Sequence, residues 1–108
     1  MNWTPVCKIN DILPNAGAAA LLGETQVAIF RVNDAFYALA NRDPFSGANV
    51  LSRGIVGSLN GKLVVASPIY KQHFGLEDGA CLEDADVTIP SYPVRIEGDA
   101  VQVGMTAE

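Results

Sequence analysis

Few side chains in this sequence could carry chemistry: one histidine, His73, and two cysteines, Cys7 and Cys81. A tetrahedral zinc or mononuclear iron centre draws several ligands from His and Cys. One His and two widely separated Cys do not supply four. The cysteines fit neither a CxxC redox pair nor a zinc knuckle, and read as two reduced, buried thiols. A nucleophile–base–acid relay can be written from Ser67 or Ser52, His73 and Asp43. No nucleophile elbow surrounds either serine, and such triads are defined by geometry rather than composition. His73 reads instead as a surface or half-buried residue on a strand edge. The acidic residues Glu77, Asp78, Glu83, Asp84 and Asp86 do not match the alternating oxygen ligands of a calcium loop, and read first as a solvated face and second as a docking patch for a basic partner. The glycines form neither GxGxxG nor a P-loop. Catalytic residues are therefore expected to be absent, as is a metal site.

The elements that would position these groups follow from composition and pattern. With 108 residues, 49% apolar and 18% charged, the chain is expected to form one domain, 1–108, with a core of its own. A net charge of −5 repels phosphate and anionic lipid, so nucleic acid and membranes are not expected partners. No apolar run approaches the roughly 20 residues that span a bilayer. Ala16–Leu22 is apolar, but Asp11 and Pro14 precede it and Gly23-Glu24 follow, so it reads as structure rather than a targeting segment, and the chain as cytoplasmic.

Short apolar runs closed by turn signals recur along the chain, the pattern of an all-β sandwich or barrel. Trp3–Ile9 is the first, with Pro5 favouring an edge, and Asp11 is placed to cap a single helical turn. Ala18–Leu22, Gln26–Val32 and Ala35–Ala40 form a meander, the last two joined by the turn Asn33-Asp34. Ile55–Leu59 and Lys62–Ser67 flank Asn60-Gly61, the strongest hairpin signal present. Val87–Ile89 is a short run. Pro93–Glu97 and Ala100–Val103 flank Gly98-Asp99, with Val94 and Ile96 alternating with Arg95 and Glu97 as if one face were buried. Eight to ten short antiparallel strands are expected. Two stretches, 41–54 and 68–79, lack periodicity and read as long loops.

Read together, those loops resemble the skeleton of a Rieske domain, a family that carries CPHxGAxL in one cluster loop and CPxHGWxF in the other. Pro44, Gly47, Ala48 and Leu51 match the first box; Pro68, Phe74, Leu76, Gly79 and Leu82 match the second. The resemblance implies an all-β Rieske-like fold of the iron–sulfur-protein (ISP) type, a small antiparallel barrel or sandwich with two long loops at the cluster-binding tip. In that family two Cys hold one iron and two His the other. Here the four positions are Asp43, Phe45, Ser67 and Tyr70, so no thiolate or imidazole remains. Phe45 cannot ligate, and the other three are hard oxygen donors.

With Asp43-Pro44-Phe45, Leu51-Ser52-Arg53-Gly54, Val65-Ala66-Ser67-Pro68 and Asp78–Asp84, the chain resembles the small subunits of bacterial assimilatory NAD(P)H-dependent nitrite reductases. That resemblance implies a non-catalytic subunit, without a cofactor of its own. Its large-subunit partner would carry FAD, an iron–sulfur cluster and sirohaem and reduce nitrite to ammonium. Phe45 and Tyr70 are expected to fill the vacated cluster cavity, and Arg53, Lys71 and Gln72 to stay exposed for contact with the partner. The rival reading is a Rieske-type, ferredoxin-like electron carrier with unusual ligands, which visible absorption and bound iron would distinguish.

Overall fold

The computed structural model describes residues 2–69 and 71–105. Ten strands appear among them: β1 (Asn2–Lys8), β2 (Ala16–Leu22), β3 (Thr25–Val32), β4 (Ala35–Ala40), β5 (Ile55–Leu59), β6 (Lys62–Ala66), β7 (His73–Gly75), β8 (Ser91–Tyr92), β9 (Val94–Glu97) and β10 (Ala100–Met105). Two 3-10 turns, Ile9–Asp11 and Leu51–Arg53, complete the regular structure. The strands form three sheets, β1-β10-β9, β2-β3-β4-β8 and β5-β6-β7, with every pairing antiparallel. The sheets do not close into a barrel, so the sandwich alternative describes the fold.

The four-stranded sheet is covered on both faces, and β3 shows why. Its run Val27-Ala28-Ile29-Phe30 is buried at every position. Val27 and Ile29 enter one core with Ile12, Ala38, Val101 and Val103, under the β1-β10-β9 sheet. Ala28 and Phe30 enter the other with Leu39, Leu51, Val65, Phe74 and Leu76, under the β5-β6-β7 sheet and the two long loops. A strand buried on both sides needs apolar residues without alternation.

Turn chemistry sets the registers. Asn60 and Gly61 take φ of 53° and 79°, the paired left-handed conformation of a two-residue hairpin turn, and β5 and β6 pair from Leu59↔Lys62 to Ile55↔Ala66. Pro5 lies on β1, an edge strand, next to a register shift. Asp11 does cap a turn, but as its third residue: its Oδ2 accepts a 2.8 Å bond from the Lys8 N–H.

Three expectations change. The loop 68–79 contains β7, which completes the third sheet; a three-residue strand shows no period of its own. Val87–Ile89 forms no strand, only a bridge between Ala80 and Thr88, while Ser91–Tyr92 pairs with β4. Ile96 is 41% exposed, because β9 is an edge strand, while Val101 opposite it is fully buried.

Candidate functional site

The two long loops meet at Asp43 and Ser67, which follow β4 and β6. Both are shut off from solvent, at 0% and 1% exposure. Ser67 Oγ donates to Asp43 Oδ2 at 2.5 Å, and the backbone N–H of Phe45 donates to Asp43 Oδ1 at 2.9 Å. The Asp43 backbone closes its own loop, its N–H reaching Ala48 O and its carbonyl accepting from Gly47, whose φ of 77° makes the turn. Ser67 organises the second loop in the same way. Its N–H donates to Gln72 O, its carbonyl accepts from Lys71, and its hydroxyl oxygen accepts a weak 3.4 Å bond from Ile69 N–H. Lys71 holds φ of 65°, in the left-handed region where the family pattern has glycine.

Behind this pair stands Asn41, 1% exposed. Its Oδ1 accepts from the Ser52 N–H at 2.8 Å and its amide nitrogen donates to Gln26 Oε1 at 3.2 Å, tying the first loop to β3 and to the 3-10 turn. Gly54 ends that turn so close to Ala66 O and the Val65 side chain that a β-carbon would collide with both.

Two sequence expectations are corrected here. Phe45 is not enclosed as a cavity filler would be: it is 37% exposed, its ring 6.3 Å from that of the buried Phe74. The loops themselves are joined by the Asp43–Ser67 hydrogen bond. Gln72 is not exposed for contact. It is half-buried, its carbonyl closes the Ser67 turn, and among the described residues its side-chain Oε1 is buried without a hydrogen-bond donor. Arg53 and Lys71 are exposed, as expected. Tyr70 lies outside the described residues.

His73 sits half-buried on β7, an edge strand, and its partner is Glu83. Both the backbone N–H and the ring Nδ1 of His73 lie 2.7 Å from the Glu83 carboxylate. Burial pushes the Glu83 carboxyl up, but the hydrogen bonds and charge at His73 outweigh it and hold the group below its usual range. Asp43 is engaged by Ser67 and His73 by Glu83, so the Ser–His–Asp relay is not assembled. The other acids serve locally: Asp78 accepts from Ala80 N–H and pairs with Lys62, and Asp84 accepts from Asp86 N–H. No group of three or more His, Cys, Asp or Glu able to hold a metal ion occurs among the described residues. The thiols Cys7 and Cys81 are unpaired, and burial together with the charge of Asp11 pushes the Cys7 thiol up, away from thiolate.

A shallow depression of about 330 Å³ opens beside Ser67, walled by Arg53, Ile55, Pro68, Lys71 and His73. A larger open groove of about 590 Å³ runs past Arg42, Pro44, Glu24 and Tyr92. Among the described residues no helix is long and apolar enough to cross a membrane.

Comparison with known proteins agrees with this frame. The family described as the Rieske-like [2Fe-2S] domain matches residues 2–104. The small subunit of NADH nitrite reductase from Escherichia coli (strain K12) is 48% identical over 103 residues, 94% of this chain and 95% of that one. The large subunit of nitrite reductase [NAD(P)H] from Klebsiella oxytoca contains a 43% identical stretch, 94% of this chain but 11% of that protein. Among solved structures, a putative NADH-dependent nitrite reductase small subunit from Mycobacterium tuberculosis is similar with a TM-score of 0.94 and 45% identity, covering 99% of this chain and 97% of that one. The residues do not fit the cluster that the family description implies. Asp43 and Ser67 hydrogen-bond directly to each other, and Phe45 offers no donor atom.

Proposed function

The chain belongs to the Rieske-like domain family and, within it, to the small subunits of nitrite reductase; from that premise we propose that it serves its enzyme as a structural and docking subunit without a redox centre of its own. The enzyme is an oxidoreductase, an NAD(P)H-dependent nitrite reductase. In this reading the partner is the large subunit, which carries the FAD, iron–sulfur cluster and sirohaem and takes nitrite to ammonium. One observation carries the reading: where the family places ligands to a shared iron, Asp43 and Ser67 bond to each other. A carboxylate and a hydroxyl have no accessible redox couple and cannot hold an electron, so what is left to this end of the domain is shape and contact. The stretch of the Klebsiella oxytoca large subunit that resembles this chain supports the same partner, since there a domain of this kind is part of the large polypeptide. The exposed Arg53 and Lys71 are the contact residues proposed. Two unpaired thiols suit the reducing cytoplasm, where we place the enzyme.

The test is direct. The purified chain, made in iron-replete cells, is expected to show no visible absorption bands and no stoichiometric iron, and to copurify with the large subunit. Visible bands with bound iron would establish the electron-carrier alternative instead.

A further inference from the structure

Six large hydrophobic side chains are exposed among the described residues, and three of them, Phe45 (37%), Ile69 (44%) and Ile55 (74%), gather where the two loops meet. Pro44 and Pro68, beside the first two, are exposed as well. Such a gathering on an otherwise polar surface marks an interaction site. Phe45 and Ile69 are held by one device: the Phe45 N–H donates to Asp43 Oδ1, the Ile69 N–H to Ser67 Oγ, and Asp43 and Ser67 bond to each other. Their backbones are thus set before any partner arrives, which lowers the entropy lost on binding.

The charges around this centre point to what covers it. Arg31 pairs with Asp34, Lys62 with Asp78, and Arg95 lies over Trp3 and donates to Gln102. Arg53 and Lys71, both exposed and both walling the depression beside Ser67, enter no salt bridge among the described residues. The carboxylates beside that wall are engaged, Asp43 by Ser67 and Glu83 by His73. Arg42 is exposed too, but it lines the other groove together with Glu24. Two cations without a salt bridge thus stand together beside the apolar centre, in a chain of net charge −5.

We infer that this end of the domain is a preformed plug for an apolar pocket with an acidic rim on the large subunit. Phe45 and Ile69 enter the pocket, Arg53 and Lys71 meet the rim, and the Asp43–Ser67 hydrogen bond holds the two loops at docking distance. The inference rests on the small-subunit reading above. A carboxylate rim is the charge complement of Arg53 and Lys71, which stand beside the apolar centre without a salt bridge among the described residues.

The experiment measures the affinity of the full-length chain for the intact large subunit from about 50 to about 300 mM salt. Wild type is expected to weaken steadily with salt. The double variant R53E/K71E is expected to bind at least about tenfold more weakly at low salt and to reverse the salt dependence, recovering affinity as salt screens the repulsion. F45S/I69S is expected to weaken binding about tenfold or more while keeping the salt dependence. E97Q/D99N, which removes two exposed acids at the end of β9 and the turn after it, in the sheet on the other side of β3, serves as a control expected to match wild type. Circular dichroism melts confirm that each variant is folded before binding is read. A wild-type complex indifferent to both salt and R53E/K71E would overturn this inference and leave the small-subunit reading standing. Failure of folded wild type to bind the large subunit at all would overturn both.

Discussion

Ser67 supplies the only hydrogen bond found to Asp43 Oδ2 among the described residues, in a place water does not reach. Replacing Ser67 by Ala leaves that carboxylate oxygen buried and unpaired, which costs about 2–3 kcal/mol. Urea denaturation is expected to show a lower midpoint with an unchanged slope. Glu83 gives a pH signature. Its folded-state pKa lies below the ordinary 4.5, so its contribution to stability is complete above that value and is lost as pH falls through the lower, folded value. Glu83→Gln is therefore expected to lose stability at neutral pH, with the gap to wild type closing as acid is added below about pH 4.5. Melting curves over that range check it. Neither partnership was legible in the sequence. Ser67 and Asp43 are 24 positions apart and His73 and Glu83 are 10 apart; the Rieske frame brings the first two positions together without saying that they bond, and nothing in the sequence joins the second two. The residue types at the four Rieske positions were legible, because they replace a pattern whose frame of Pro and Gly survives. What they do instead was not: Phe45, expected to be enclosed, is 37% exposed.

At the scale of elements, the site depends on how closely the first loop packs against β6. Gly54 is the point of closest approach, with Ala66 O and Val65 where a β-carbon would stand. Gly54→Ala must push the 3-10 turn off β6 and is expected to cost about 1–3 kcal/mol. Because Ala66 immediately precedes Ser67, amide chemical shifts of Ser67 and Asp43 should move together in the variant. Strands bounded by local signals were readable from the sequence: the meander β2-β3-β4, the Asn60-Gly61 hairpin and the Gly98-Asp99 hairpin. The strands β7 and β8 were not, having three and two residues. Strands that short are defined by a neighbour across the sheet, β6 and β4 respectively, and leave no period in the sequence. Ile96 misled for a related reason, since alternation shows which side chains share a face but not whether anything covers that face.

Across the whole molecule, the four-stranded sheet is the shared wall of two cores. Opening either side exposes β3, so the two halves are expected to unfold as one. The amide protons of Val27–Phe30 should exchange at the rate set by global unfolding, while those of β5, at an edge with Ile55 and Gly57 exposed, exchange sooner. Native-state hydrogen exchange measures both. Such a scaffold gives the two loops a rigid base. The bond that joins them is made entirely of groups that the chain brings with it from synthesis. On the cluster-free reading proposed above, the spacing of Phe45 and Ile69 is settled when folding ends, without waiting for iron to be delivered, and this end of the domain is expected to be completed on the same schedule in an iron-starved cell as in a replete one.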